Sequence, residues 1–247
     1  LAATDKDHEF METRKKLQKR AILFDMDGTL VGLKPSGRLA VLQRALAQFG
    51  IDGVEQEHAD RFWFSAERYV MLERWGLKGD QFWPVLDSEE LLQIQYQHTV
   101  CFKDAGIIRL LARQNLHLGI VSNSAHVSLK GKIKLLSRYV NPTRFSQVIS
   151  CSDDAPRPKP CPSGILLGLE RMGVEPHEAL LVGDSMDDVR AGNAAGVDVI
   201  IIDRGEPIVF DTSFKFQKVN SLWKLRNLLD TPARVLPAYE YQEQKAA

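Results

Sequence analysis

The chain has 247 residues, with 32 Lys and Arg set against 32 Asp and Glu, and 44% of it is hydrophobic. That balance removes the surplus of cations on which a general nucleic-acid binder depends, and the ordinary globular composition excludes collagen-like, coiled-coil and disordered classes. The length allows one large α/β domain with an insertion, or two modest domains.

Cys101, Cys151 and Cys161 form no CxxC pair and are odd in number. Neither a disulfide framework nor a zinc site is therefore expected, and a reducing, cytoplasmic setting fits best. The six histidines show no metal-ligand spacing. No apolar run approaches the ~20 residues needed to cross a bilayer, so a soluble protein with neither a membrane nor a nucleic-acid partner is expected.

In chain order, residues 1–20 read as an N-terminal extension, with Met11 a candidate start. Its Asp5, Asp7, Glu9 and Glu12 argue against an acid-poor transit peptide. Ala21-Ile22-Leu23-Phe24 is a short continuous apolar run of the kind buried in a parallel sheet, and Gly28 punctuates its end. Residues 31–103 then break the pattern: Leu39, Leu42, Leu46 and Phe49 fall at helical spacing, followed by helical stretches over 62–75 and 88–98. An all-helical insertion of this length packs as its own small bundle, and it reads as a cap. Trp63, Phe64, Tyr69, Trp75, Phe82 and Trp83 crowd it, mostly as bundle core, with a lesser reading as substrate grip. Lys34, Arg38, Arg61 and Arg68 read as solvated, with a minority chance that one reaches the substrate.

Alternation resumes after the insertion. Strands are predicted at 116–121, 145–150, 179–182 and 198–202, with an edge strand over 214–219; helices are predicted at 107–114, 126–139, 164–172 and 187–195. The pattern predicts an α/β fold, a doubly wound and mostly parallel sheet, with residues 21–30 and 104–230 as core, 31–103 as cap and 231–247 as a C-terminal tail. In such sheets the ligand crevice lies beyond the carboxyl ends of the strands. Three polar strand ends should therefore meet there: Asp25-Met26-Asp27, Ser122-Asn123-Ser124 and Gly183-Asp184-Ser185.

Two carboxylates two residues apart at the end of a buried strand are costly unless a cation or a proton compensates, and magnesium meets that need. Asp25-Met26-Asp27-Gly28-Thr29-Leu30 resembles the first signature of the haloacid dehalogenase superfamily. Val121-Ser122-Asn123-Ser124 resembles the second, Lys159-Pro160 the third and Gly183-Asp184-Ser185-Met186-Asp187-Asp188 the fourth, in the family's order. The position of the helical insertion is similar to that in the phosphoglycolate-phosphatase and phosphoglucomutase branch. The junction Phe102-Lys103-Asp104-Ala105 departs from that pattern in lacking its proline-glycine pair.

The resemblance implies that Asp25 is the nucleophile and Asp27 the acid and base. It further implies that Ser122, Asn123 and Lys159 contact the phosphate, and that Mg2+ is held by Asp25, the Asp27 carbonyl and Asp184. Asp188 lies behind these, with Asp187 an extra acid beside it; read alone, Asp187 or Asp184 is a helix N-terminal acid favoured by the macrodipole. The implied activity is magnesium-dependent hydrolysis of a small phosphate ester, such as a sugar phosphate, phosphoglycolate or a nucleoside monophosphate, through an aspartyl-phosphate. Asp27 disfavours dehalogenation, because a halide leaving group needs no proton. A phosphomutase stands as the alternative, and a phospho-accepting signalling or silent binding module as a more distant one.

Overall fold

The computed structural model of the chain describes residues 19–64 and 68–229. Residues 1–18 of the expected extension and the whole expected tail, 231–247, lie outside them. In chain order the strands are β1 (Ala21–Phe24), β2 (Val31–Leu33), β3 (Thr99–Cys101), β4 (His117–Ser122), β5 (Gln147–Ser150), β6 (Ala179–Gly183), β7 (Asp198–Ile202) and β8 (Gln217–Val219). The helices of the insertion are α1 (Pro35–Ala47), α2 (Gln56–Phe64), α3 (Arg68–Arg74), α4 (Gly79–Leu86) and α5 (Glu89–His98). Those of the core are α6 (Ile108–Leu111), α7 (His126–Leu136), α8 (Ser163–Met172), α9 (Met186–Ala195) and α10 (Leu225–Leu228).

All four residues of β1 are fully buried. A strand apolar on both faces belongs inside a parallel sheet covered by helices, and β1 is sandwiched between β4 and β6 in a six-stranded sheet of order β5-β4-β1-β6-β7-β8. Every pairing in it is parallel. Successive side chains alternate between faces. Ile22 and Phe24, with Leu118, Ile120, Leu180 and Val182, pack against Ile108, Leu129 and Leu225 of α6, α7 and α10. Leu23, Val121 and Leu181 point the other way, onto Ile165 and Leu169 of α8 and Ala191 of α9. Gly192 permits the close seating of α9, because a Cβ there would lie 2.3 Å from Val199 Cγ2.

The chain runs from β1 to β4 and β5 on one side, then crosses to β6 on the other, so the switch in winding direction falls at β1. The register that places Phe24 beside Ile120 and Val182 carries Asp25, Ser122 and Asp184 to the same edge of the sheet.

Between β2 and β3 the elements of the insertion among the described residues are helices, and they share a core of Val41, Leu42, Leu46, Phe62, Leu72 and Phe82. Its rings explain one another: Phe62 meets Phe82 edge-on at 5.5 Å and Trp83 at 6.0 Å, and Tyr69, half exposed, rests edge-on against Trp83. Within the predicted helix over 62–75 the described residues are helical on either side of residues 65–67, and α4 lies between α3 and α5.

The two connections between insertion and core pair with each other as the antiparallel ribbon β2–β3. Where the family's proline-glycine pair is missing, Asp104 instead accepts hydrogen bonds from Arg204 Nη1 (2.8 Å) and Nη2 (3.0 Å) and from the Leu222 backbone N–H (2.9 Å). Arg204 also donates to the carbonyls of Gly28 and Thr29 and stacks 3.9 Å over Phe102. One nearly buried ion pair thus ties the returning connection to the first strand end. Removing one partner of such a pair leaves the other uncompensated, so Arg204→Met is expected to cost about 3 kcal/mol in urea unfolding.

Candidate active site

Beyond Phe24 the backbone turns at once: Leu30 and Val31 donate to the Met26 carbonyl and Gly28 donates to that of Val31. Gly28 takes φ +75°, and a Cβ on it would sit 1.9 Å from Asp184 Oδ2. The position therefore demands glycine twice, for backbone conformation and for the approach of the β6 carboxylate.

Lys159, just before α8 and 5% exposed, is the hub of the site. Its Nζ donates to Asp25 Oδ1 (2.8 Å), Asp188 Oδ1 (2.5 Å) and the Val121 carbonyl (3.1 Å). Asn123 fixes the lysine's backbone from two sides, donating to its carbonyl at 3.0 Å and accepting from its N–H at 2.7 Å. The Asn123 side chain is thereby spent on holding Lys159. Ser122, buried, accepts from the Ser124 N–H at 3.2 Å. Asp188 caps α9: its Oδ2 accepts from Ser185 Oγ (2.6 Å) and from the backbone N–H groups of Ser185 and Asp184.

Asp27 is held by two residues that sequence reasoning passed over. Its Oδ2 accepts from Ser124 Oγ at 2.8 Å and from Lys132 Nζ at 2.7 Å, and Lys132 also donates to Ser124 Oγ at 2.9 Å. Lys132 sits on α7 among alternating polar residues and reads as a solvated face, yet it is 5% exposed. No local pattern marks it. Asp187 is half-buried: burial raises its carboxyl, and Arg68 of the cap opposes that rise.

Electrostatics separate the acids. Burial pushes the Asp25 carboxyl up to about 7 against the pull of Lys159, with Asp188 and Asp27 adding to the rise. Burial, then the neighbouring Asp25 and Asp188, raises Asp184 well above the carboxylate range. Burial would raise Asp188 as well, but Lys159 and the Ser185 hydrogen bonds hold it below its ordinary value. For Lys159 burial alone would favour loss of the proton, and Asp188 and Asp25 reverse that.

Oxygens of Asp25, Asp184 and Asp188 lie within 4.8 Å of one another, so these three carboxylates could hold a metal ion. Both Asp188 oxygens are already engaged, which leaves Asp25 Oδ2 and Asp184 as the available donors. A set of hard oxygens with raised proton affinity fits a hard cation.

A pH dependence follows. Between 3.8 and about 7 the folded protein binds a proton at Asp25 that the unfolded chain has released, so this contribution to stability is full below 3.8 and is lost as pH rises through 7. Asp184 acts in the same direction, while the shifts of Asp188 and Lys159 fall outside this window. With chelator present, the Tm is expected to fall by about 5 °C between about pH 5 and pH 8, and a divalent cation should restore it at the higher pH.

A cleft opens beside these groups, lined by Asp27, Gly28 and Asp184 from the core and by Arg38, Trp63 and Phe64 from the cap. Arg38, expected to be solvated, is 5% exposed: it pairs with Asp60 at 2.7 Å and lies 4.6 Å from the centre of the Phe64 ring. Trp63 and Phe64 thus face the cleft, while Trp75, Phe82 and Trp83 serve the bundle core.

With this geometry in place, comparison with known proteins gives a consistent result. Residues 22–202 match the family model described as haloacid dehalogenase-like hydrolase. The chain belongs to that family. It is 28% identical to the N-acetylmuramic acid 6-phosphate phosphatase of Pseudomonas aeruginosa over 77% of this chain and 84% of that one. It is also 28% identical to the phosphoglycolate phosphatase of Shigella flexneri, over 92% and 96%. Among solved structures, CbbY from Rhodobacter sphaeroides in complex with phosphate superposes with a TM-score of 0.70 at 19% identity, covering 84% of this chain and 96% of that one. The HAD phosphatase from Thermococcus onnurineus gives 0.61 at 25% identity, covering 87% and 99%. The chain is accordingly a phosphatase of the phosphoglycolate-phosphatase-like branch, with its cap helices inserted after the first strand. No helix among the described residues is long and apolar enough to cross a membrane.

Proposed function

We propose that this protein is a magnesium-dependent phosphatase acting on a small phosphorylated metabolite, phosphoglycolate or a sugar phosphate, through an aspartyl-phosphate on Asp25. The observation that carries the reading is the Lys159 hub, which joins the Asp25 carboxylate at the end of β1 to the Asp188 carboxylate in the first turn of α9. Lys159 fixes the Asp25 carboxylate through Oδ1, which orients it so that one oxygen attacks phosphorus in line while the other is left to a cation. The Asp25 oxygen that does not attack, the Asp27 carbonyl and Asp184 would hold Mg2+, whose charge favours build-up of negative charge on the phosphoryl oxygens. Ser122 and the Asn123 backbone N–H serve as phosphate donors, and Lys159 steadies the transferring group. Asp188, with Asp187 beside it, positions Lys159 and the Asp184 loop.

Asp27 acts as acid toward the leaving oxygen and then as base toward water. In this reading Ser124 and Lys132 set its orientation. Lys132→Met should lower kcat/KM for an alkyl phosphate about 10-fold more than for 4-nitrophenyl phosphate, whose phenolate leaves without a proton. Equal losses on both would show a merely structural lysine. Residues 21–30 and 104–230 act as the catalytic core and 31–103 as the cap that closes over the substrate.

The reading is tested by inorganic phosphate release from a panel of phosphorylated metabolites with and without Mg2+. Metal-dependent release from at least one is expected, and no release from any ester would refute the proposal.

A further inference from the structure

The cap side of the cleft carries chemistry that the phosphoryl group does not use. Among the described residues lining it, the cations are Arg38 and Arg204, and both are committed. Arg204 is spent on Asp104 and on the carbonyls of Gly28 and Thr29. Arg38 donates Nε to Asp60 and Nη1 to the Leu33 carbonyl (3.2 Å) and to Glu206 Oε1 (3.4 Å). Its charge is therefore already offset by two carboxylates. Asp203 and Glu206 line the same wall. A carboxylate on the leaving group would be desolvated beside these acids, with each lining cation already paired to a carboxylate, an arrangement that like-charge repulsion opposes.

The remaining wall is apolar: Trp63, Phe64, Phe102, Ile202, Ile208 and Phe210. Within it, the Arg38 guanidinium and the Glu206 carboxylate place donors and an acceptor side by side. A sugar ring offers the complement, C–H faces for aromatic contact and hydroxyls that both donate and accept.

Resting on the phosphatase reading above, we infer that this wall is a subsite for an uncharged, polyhydroxylated leaving group, with Arg38 and Glu206 as specificity-determining residues. The substrate is then a neutral sugar phosphate and not a phosphorylated hydroxy acid. The 3.4 Å contact between Arg38 on α1 and Glu206 on the loop after β7 spans cap and core, so a hydroxyl bound there engages both domains at once.

The test uses the full chain with Mg2+ and three kinds of probe: 4-nitrophenyl phosphate, phosphoglycolate, and a panel of hexose and pentose monophosphates. The best sugar phosphate should exceed phosphoglycolate in kcat/KM by at least ~10-fold. Glu206→Ala, on a core loop, should reduce that ratio by about 10-fold, chiefly through KM for the sugar, and Arg38→Gln should do the same. If Arg38→Gln fails to fold, Glu206→Ala alone decides. Turnover of the aryl ester with phosphoglycolate preferred, or a ratio unmoved by the Glu206 variant, overturns this inference and leaves the phosphatase reading standing. No turnover of any probe overturns both.

Discussion

Asp25→Asn is expected to abolish phosphatase turnover, by ~10⁴-fold or more, while leaving circular dichroism unchanged. The amide is nearly isosteric, so it keeps the packing at the end of β1, but its nitrogen and neutral oxygen cannot attack phosphorus. The fold should tolerate it for an electrostatic reason. Asp25 shares its burial with Asp188 and Asp184, and burial already drives its proton affinity up to about 7; a neutral group there removes repulsion among three acids. The variant should therefore be at least as stable as the parent above pH 7 when metal is absent. Turnover within tenfold of the parent would remove Asp25 from the nucleophile's place.

Lys159→Met should produce the largest loss of stability of any single change in the site. Lys159 is enclosed with two carboxylates and a carbonyl around its ammonium. Methionine matches the length of the stem but leaves Asp25 and Asp188 buried without their cation, a loss of about 3–5 kcal/mol for a broken buried pair. For a domain of this size that corresponds to roughly 10 °C in Tm. A second replacement, Asp188→Asn on the Lys159→Met background, removes one of the stranded charges and should recover part of the loss. If Lys159→Met lowers Tm by less than about 2 °C, the ion-pair hub is not what holds the three strand ends together.

Much of this architecture was legible in the sequence because it rests on short continuous apolar runs and on turn chemistry. The AILF run, the polar ends of β4 and β6 and the apolar stretch at 198–202 each announce a strand buried on both faces, and the parallel sheet follows from their alternation with helices. The features that escaped are those with no periodic signature. Strands β2 and β3 are three residues each and exist only because two connections run side by side. Helix α4 is bracketed by Gly79 and contains Pro84, residues that ordinarily argue against a helix interior, and it persists because Phe82 is sealed in the cap core. The expected helix over 107–114 shrinks to α6, preceded by a 3₁₀ turn at Lys103–Ile107.

The site divides in the same way. Asp25, Ser122 and Asp184 sit at strand ends where a polar residue interrupts an apolar run, and such interruptions can be read directly; Lys159 and Asp188 were legible only through the resemblance of their motifs. Lys132 and Ser124 reach Asp27 from one turn of α7 and the loop before it, and only the tertiary fold brings that face of the helix over the first strand end. Arg38 likewise looked like one of several surface cations; its burial depends on Asp60 from α2 and Glu206 from the core closing over it. The Asn123 side chain is also the bracket that fixes the Lys159 backbone, a role that its place in the second signature did not announce.

The whole account turns on a covalent step at one oxygen of Asp25, and rapid acid quench of a single turnover observes that step directly. With enzyme in excess over a phosphate ester and Mg2+ present, peptide mass spectrometry should find one added phosphoryl group on Asp25, rising and decaying with phosphate release and absent from Asp25→Asn. Full-rate release of phosphate with Asp25 unmodified throughout, or with the phosphoryl group on another residue, would contradict it.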